Sequence, residues 1–203
     1  MWRRSLDLIS QPLPLGTGVA RMARLISEDM SVDRCDVLLF DRAPDELVLQ
    51  VDGAEGCAST SPEVRLALGV GLTGLAASRQ RTLQVPHMRS DPRSVELADG
   101  LDYRSIIAVP IVEEGGLVGV FSLQTLAERQ FSDEDVVFLE STIRPLLVLM
   151  VNTAHAREDL ARRNNQIQAL NELGQAMNSG LELDESLELI AARAAAFNEA
   201  MTD

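Results

Sequence analysis

Lysine is absent from this sequence of 203 residues, and all 18 of its basic side chains are arginine. That absence excludes chemistry that runs through an ε-amino group. A P-loop needs its lysine on the phosphates, a protein kinase needs its strand lysine, and a Schiff-base enzyme needs an amine. Cysteine is scarce: Cys35 and Cys57 are the only two, at a spacing that fits neither a disulfide framework nor a zinc site, and a reducing compartment is the simpler reading. Aromatic residues are few as well, with five Phe, one Tyr and one Trp, which leaves little from which to build a stacking site. The amino terminus carries Arg3 and Arg4 but no apolar signal-peptide core, and no stretch approaches 18 uninterrupted apolar residues, so a cytoplasmic protein is expected. Positive charge is outnumbered, 18 against 31, giving a net charge of −13. Such a surface repels phosphate backbones and anionic membranes, so neither nucleic acid nor membrane is expected as a partner.

What is present is an ordinary globular composition, 46% hydrophobic and 24% charged, suited to one domain plus an appendage. A domain of about 150 residues buries roughly 68 to 70% of its unfolded surface, enough for a core without disulfides or metals. Val19, Met22, Ala23, Leu25 and Ile26 recur at helical spacing and predict an amphipathic helix over 16–30. Strand patterns follow at 36–40 and 46–51, with Arg42, Ala43, Pro44 and Asp45 as turn material between them. In the segment 66–85 the glycines Gly69, Gly71 and Gly74 alternate with apolar residues, then 75–78 reads as a short helix and 82–85 as a short strand. Those glycines have two readings, a cradle for an anion or a tight turn that needs φ freedom, and their spacing matches neither dinucleotide nor P-loop fingerprints. Strands are predicted at 105–112 and 117–125, joined by a turn at Gly115 and Gly116, with Pro110 marking an edge or a bulge.

Ser132 is placed to cap a helix whose first turn holds Asp133, Glu134 and Asp135, favourable to the helix dipole. No strong stop occurs before Gly174, so the helix should run about 40 residues, with Pro145 as a place to bend. Leu146, Leu149, Thr153, Ala156, Leu160, Arg163, Ile167, Leu170, Gly174, Met177 and Leu181 are spaced alternately three and four apart, an imperfect heptad that favours pairing with a second copy. The chain also resembles itself. The stretch from Ser10, SQPLPLGTGVARMARL, aligns without gaps on NSGLELDESLELIAAR from Asn178, with Leu13 on Leu181, Val19 on Leu187 and Met22 on Ile190. The expected organisation is a sensory domain at 1–152, a helical connector at 153–180, and at 181–203 the first helix of a second domain otherwise missing from this chain.

The segment GVGLTGLAASRQRTLQV, then Asp91-Pro92-Arg93, then YRSIIAVPIVEEGGLVGVFSLQ and FSDEDVVFLE, together resemble a GAF domain over about 6–152. The resemblance implies an α+β fold: a central antiparallel sheet with helices on one face, a small-molecule pocket on the other and a long C-terminal signalling helix. It also implies a role in a larger bacterial kinase, cyclase or transcription regulator, often as a dimer through terminal helices. Members that are methionine sulfoxide reductases use several close cysteines, which Cys35 and Cys57 do not supply. Bilin-binding members attach their chromophore through a cysteine before the Ser105 strand, and residues 93–104 hold none, so a covalent bilin is not expected. The asparagine, lysine, phenylalanine, aspartate and glutamate signature of cyclic-nucleotide binders cannot be met without lysine. Haem members use an axial histidine, for which His87 is the one candidate in the domain, yet a loop histidine beside an arginine and an aspartate, here Arg89 and Asp91, reads as a solvated hydrogen-bonding residue. His155 lies on the long helix without the downstream proline of a phosphoacceptor site.

Ligand contacts are expected from positions around the sheet that read as inward-facing: Leu39, Val70, Leu72, Leu75, His87, Tyr103, Ser105, Ile107 and Val109, with Arg104 adding a charge beside Tyr103. The apolar members serve equally well as plain core. No nucleophile, base and orienting group can be placed together, so the chain is read as a non-enzymatic sensor that binds a small molecule and signals through a dimeric helix. The alternative is a ligand-free dimerisation module.

Overall fold

In this computed structural model, the described residues are 14–52, 57–58, 64–94, 101–114 and 116–178. Helix α1 (Leu15–Met30) has the expected apolar stripe, with Val19, Met22, Ala23 and Ile26 buried, and ends where Ser31 turns left-handed. A hairpin follows, β1 (Arg34–Asp41) and β2 (Glu46–Asp52), turning through Asp45 at a φ of 69°. Two short strands, β3 (Cys57–Ala58) and β4 (Arg65–Ala67), both pair with β2. Helix α2 (Gly71–Arg79) begins four residues before the expected helix and leads to β5 (Leu83–Val85). A 3-10 turn at Met88–Ser90 precedes β6 (Ser105–Glu113) and β7 (Gly116–Thr125). The strands form one antiparallel sheet in the order β3-β2-β1-β7-β6-β5, with β4 beside β2. Pro110 sits beyond the last β5 pairing, at Ala108, and one residue before a register shift in β6, where a missing N–H is tolerated.

Alternation along the strands separates two cores. Cys35 and Val37 of β1, Ile107, Val109 and Ile111 of β6, and Phe121 and Leu123 of β7 face α1 and the C-terminal helical segment, whose Leu139, Ile143, Leu147 and Met150 close over them. The opposite face carries Leu38, Leu47, Ala108 and Val120, covered by Ala76 and Ala77 of α2. A third cluster on that face joins Leu72, Val85, Met88, Tyr103 and Ile106.

The C-terminal helix starts at α3 (Asp133–Phe138) with a complete capping box: Asp135 N–H donates to Ser132 Oγ at 3.2 Å and Ser132 N–H to Asp135 Oδ2 at 3.0 Å. Proline at 145 has no N–H for the carbonyl four residues back. The chain answers with a wider π turn at Leu139–Ile143, in which Arg144 N–H reaches Leu139 O, before α4 (Arg144–Asn178) continues.

The chain divides into two units, Met1–Ala154 and His155–Asp203. In the second, the described residues are the helical ones of α4, and Leu160, Ile167 and Leu170 are 62%, 55% and 68% exposed. The stretch 181–203, expected to open a second domain, lies outside the described residues.

Candidate ligand site

Residues two apart on a strand share a face, and β1 and β7 use this spacing to bring polar groups under the apolar cluster around Tyr103. Arg34 and Asp36 of β1 lie opposite Gln124 and Ser122 of β7, and Gln124 lies opposite Ile106 of β6. All four polar residues are buried, at 5%, 5%, 2% and 1% exposure for Arg34, Asp36, Gln124 and Ser122. Arg34 Nε donates to both carboxylate oxygens of Asp36, at 2.9 and 2.7 Å, and Gln124 Nε2 donates to Asp36 Oδ2 at 3.1 Å. The Arg34 guanidinium stands 5.8 Å from the centre of the Tyr103 ring. A buried ion pair persists only when its desolvation is offset by close geometry and further hydrogen bonds, and here the Gln124 amide supplies one. The other end of that amide, Gln124 Oε1, is buried without a hydrogen-bond partner among the described residues.

The expected ligand contacts fall in three places. Leu72 and Tyr103 are buried in the cluster beside this polar floor. Ile107 and Val109, both 0% exposed, face the helices instead, because they alternate with Ile106 and Ala108, which carry the opposite face. Leu39 shares strand parity with Cys35 and Val37 and so points the same way. Ser105 is also buried on that side, where its hydroxyl pairs with Thr125 Oγ1 at 2.6 Å, donates to Ala127 O and accepts from Arg129 N–H, a structural knot at the strand start. Val70 is 48% exposed, Leu75 half-buried, and Arg104 holds Asp102 at 3.0 Å on the surface. Arg34, Asp36, Ser122 and Gln124 were not among the expected contacts. Their signal was polar residues at alternate positions inside the apolar runs RCDVLLF and GLVGVFSLQT.

The glycine-rich turn is structural. Gly69 N–H is taken by Gly74 O at 2.9 Å and Gly74 N–H by Val70 O at 3.2 Å, so these amides face no ligand. Gly69 has a φ of +84°, and a Cβ on Gly74 would lie 2.8 Å from Ala67 O. Cys35 is 1% exposed on the helix side, and burial first, then the neighbouring Asp36 charge, push its thiol far above the ordinary range. A thiol held protonated is a poor nucleophile. His87 is exposed, with Nδ1 3.2 Å from Glu128 Oε2. Among the described residues no three His, Cys, Asp or Glu side chains gather as metal ligands.

Strand β5 touches both the Tyr103 face of the sheet and the C-terminal helix. Leu83 and Val85 pack into the clusters on the Tyr103 face. Gln84 accepts the N–H of Phe131, just before α3, and the Thr82 hydroxyl donates to Glu140 in the π turn.

Solved structures share this architecture. The GAF domain of an Acinetobacter phosphoenolpyruvate-protein phosphotransferase superposes with a TM-score of 0.65 at 24% identity, covering 77% of this chain and 94% of its own. The corresponding domain from Coxiella burnetii gives 0.64 at 22%, covering 78% and 94%. The free methionine-R-sulfoxide reductase of Neisseria meningitidis, solved with its substrate, gives 0.63 at 21%, covering 76% and 88%. At these identities the likeness establishes the fold. The family model for the GAF domain matches residues 14–144, and with the antiparallel sheet and flanking helices in place the chain belongs to the GAF domain family, whose members are generally regulatory modules.

Proposed function

We propose that this chain is a non-enzymatic sensory module of a larger bacterial signalling protein, a kinase, cyclase or transcription regulator, that binds a small molecule on the sheet face turned away from α1. The carrying observation is the Arg34–Asp36–Gln124 floor beneath Tyr103, Leu72 and Ile106. A polar cluster of this kind adds little to a core that apolar side chains would fill, whereas a ligand pocket needs a few fixed polar groups among apolar walls. Transmission runs through β5 to the π turn and α4, and the helix pairs with a second copy along Leu160, Ile167 and Leu170. Ligand occupancy shifts the output only if it favours one packing of that helix over another.

The non-enzymatic reading rests on Cys35, whose thiol is buried and protonated on the wrong face for the ligand site. A cytoplasmic setting fits as well. The helical stretch Asp133–Gln175 is long and apolar enough by composition to cross a membrane, but its Leu139, Ile143 and Leu147 are packed onto the sheet. The second reading, a ligand-free dimerisation module, is favoured by the dense packing of Ala76 and Ala77 against Leu38, Leu47 and Val120 on the same face.

Native mass spectrometry of the gently purified chain tests both. A dimer with added mass that denaturation releases supports the sensor, a bare dimer in every preparation supports the scaffold, and a bare monomer counts against both.

A further inference from the structure

We propose that the floor of this site recognises its ligand by a hydrogen-bond donor: an N–H or O–H group on an apolar or aromatic body, its donor on Gln124 Oε1 and its body against Tyr103, Leu72 and Ile106. The inference rests on the reading of this face as a ligand site and names the chemistry the site takes.

The amide orientation of Gln124 is dictated by its neighbour. Nε2 donates to Asp36 Oδ2 at 3.1 Å, and a flipped amide would set a carbonyl oxygen against a carboxylate. The oxygen is therefore the end left over, on a side chain 2% exposed, and it has no donor among the described residues. Buried acceptors without a donor are rare in folded proteins because each keeps the full cost of its desolvation, and each one needs a reason.

Charge and shape narrow the class. Arg34 is matched by Asp36 at 2.7 Å, so the floor offers no net positive charge to draw an anion in. A phosphate or carboxylate oxygen placed over Gln124 would meet an acceptor with an acceptor. The walls at Leu72, Val85 and Ile106 are hydrocarbon, and the Tyr103 ring adds a flat aromatic surface. A molecule with one donor on an apolar body satisfies this arrangement, whereas the same molecule without the donor leaves a buried acceptor unmet, the situation in which polar sites discriminate most.

Indole and benzofuran have nearly the same shape and differ in the N–H that an ether oxygen replaces. Each is titrated into the 15N-labelled chain while the backbone amides of Tyr103 and Ile106 are followed, in the wild type and in Gln124→Met, which removes the acceptor at similar length. Indole should bind the wild type roughly tenfold more tightly than benzofuran, the difference expected of one buried hydrogen bond made or left unmade. In Gln124→Met the preference should fall to within about twofold. Equal binding to the wild type assigns Oε1 to a buried water and overturns the donor inference while leaving the ligand site standing, a comparison that does not depend on the variant folding. A preference that persists in Gln124→Met overturns the assignment to this residue. Failure of both probes to bind at millimolar concentration overturns the site reading and the inference with it.

Discussion

Asp91 and Arg93 show how far a local pair moves a proton equilibrium at the surface. The Arg93 side chain donates to both carboxylate oxygens and its N–H to Oδ1 at 2.9 Å, and these bonds, the side-chain one first, lower the Asp91 pKa from 3.8 to about 2. A depressed carboxylate stabilises the folded loop above its unfolded value and loses that contribution as pH falls toward about 2. NMR titration of the Asp91 carboxyl should give a midpoint near 2, and Arg93→Ala should bring it back toward 3.8. Cys35 gives the opposite case, a group whose charged form burial forbids. In a Cys57→Ala variant, Cys35 should resist iodoacetamide while the chain is folded and react once urea unfolds it, since the thiolate is the reacting species. Labelling of the folded protein at the rate of a free thiol would show that the site opens. At this scale the sequence was only partly readable. Strand β6 is buried on both faces from Ser105 to Ile111, so hydrophobicity alone does not say which parity faces the polar cluster of β1 and β7. The polar pairs at 34 and 36, and at 122 and 124, mark that parity.

The elements themselves are legible where a period is long enough to count. Helix α1, the β1–β2 hairpin, the β6–β7 hairpin and the Ser132 cap follow from patterns of eight residues or more or from named turn chemistry. Strands β3 and β4, of two and three residues, are too short to carry a period and exist through their pairing with β2. Helix α2 begins early because Gly71, at a φ of 63°, opens it and Gly74 lets it approach the Ala67 carbonyl closely, where the sequence reads both glycines as part of a tight turn. Gly74→Ala places a Cβ 2.8 Å from that backbone oxygen, which cannot swing aside, and should cost about 1–3 kcal/mol in urea denaturation. Ser132→Ala removes one half of the capping box and should cost about 1 kcal/mol by the same measurement, whereas an unchanged midpoint would mean that α3 is held by packing alone. The bend expected at Pro145 takes the form of a π turn ahead of it, and its Glu140 side chain reaches back to Thr82. That contact puts the C-terminal helix within one strand of the Tyr103 face.

The whole molecule combines a folded unit that buries its apolar surface with a second unit whose described helix leaves its own exposed. The chain is strongly acidic, at −13, but Leu160, Ile167 and Leu170 recur at the spacing of a coiled-coil seam, and nothing among the described residues buries them. Burial of each in a paired helix stabilises association by about 1.5–3 kcal/mol. Light scattering coupled to size exclusion should then give twice the 22.1 kDa chain mass, and the double variant Leu160→Glu with Ile167→Glu should run at 22.1 kDa because the new carboxylates meet across the seam. The GAF unit ends before both positions, at Ala154, so its cooperative unfolding should persist in the double variant. A wild-type chain at monomer mass across the micromolar range would remove self-pairing as the transmission route, and the output would then have to be read from the β5 and π-turn contacts within a single copy.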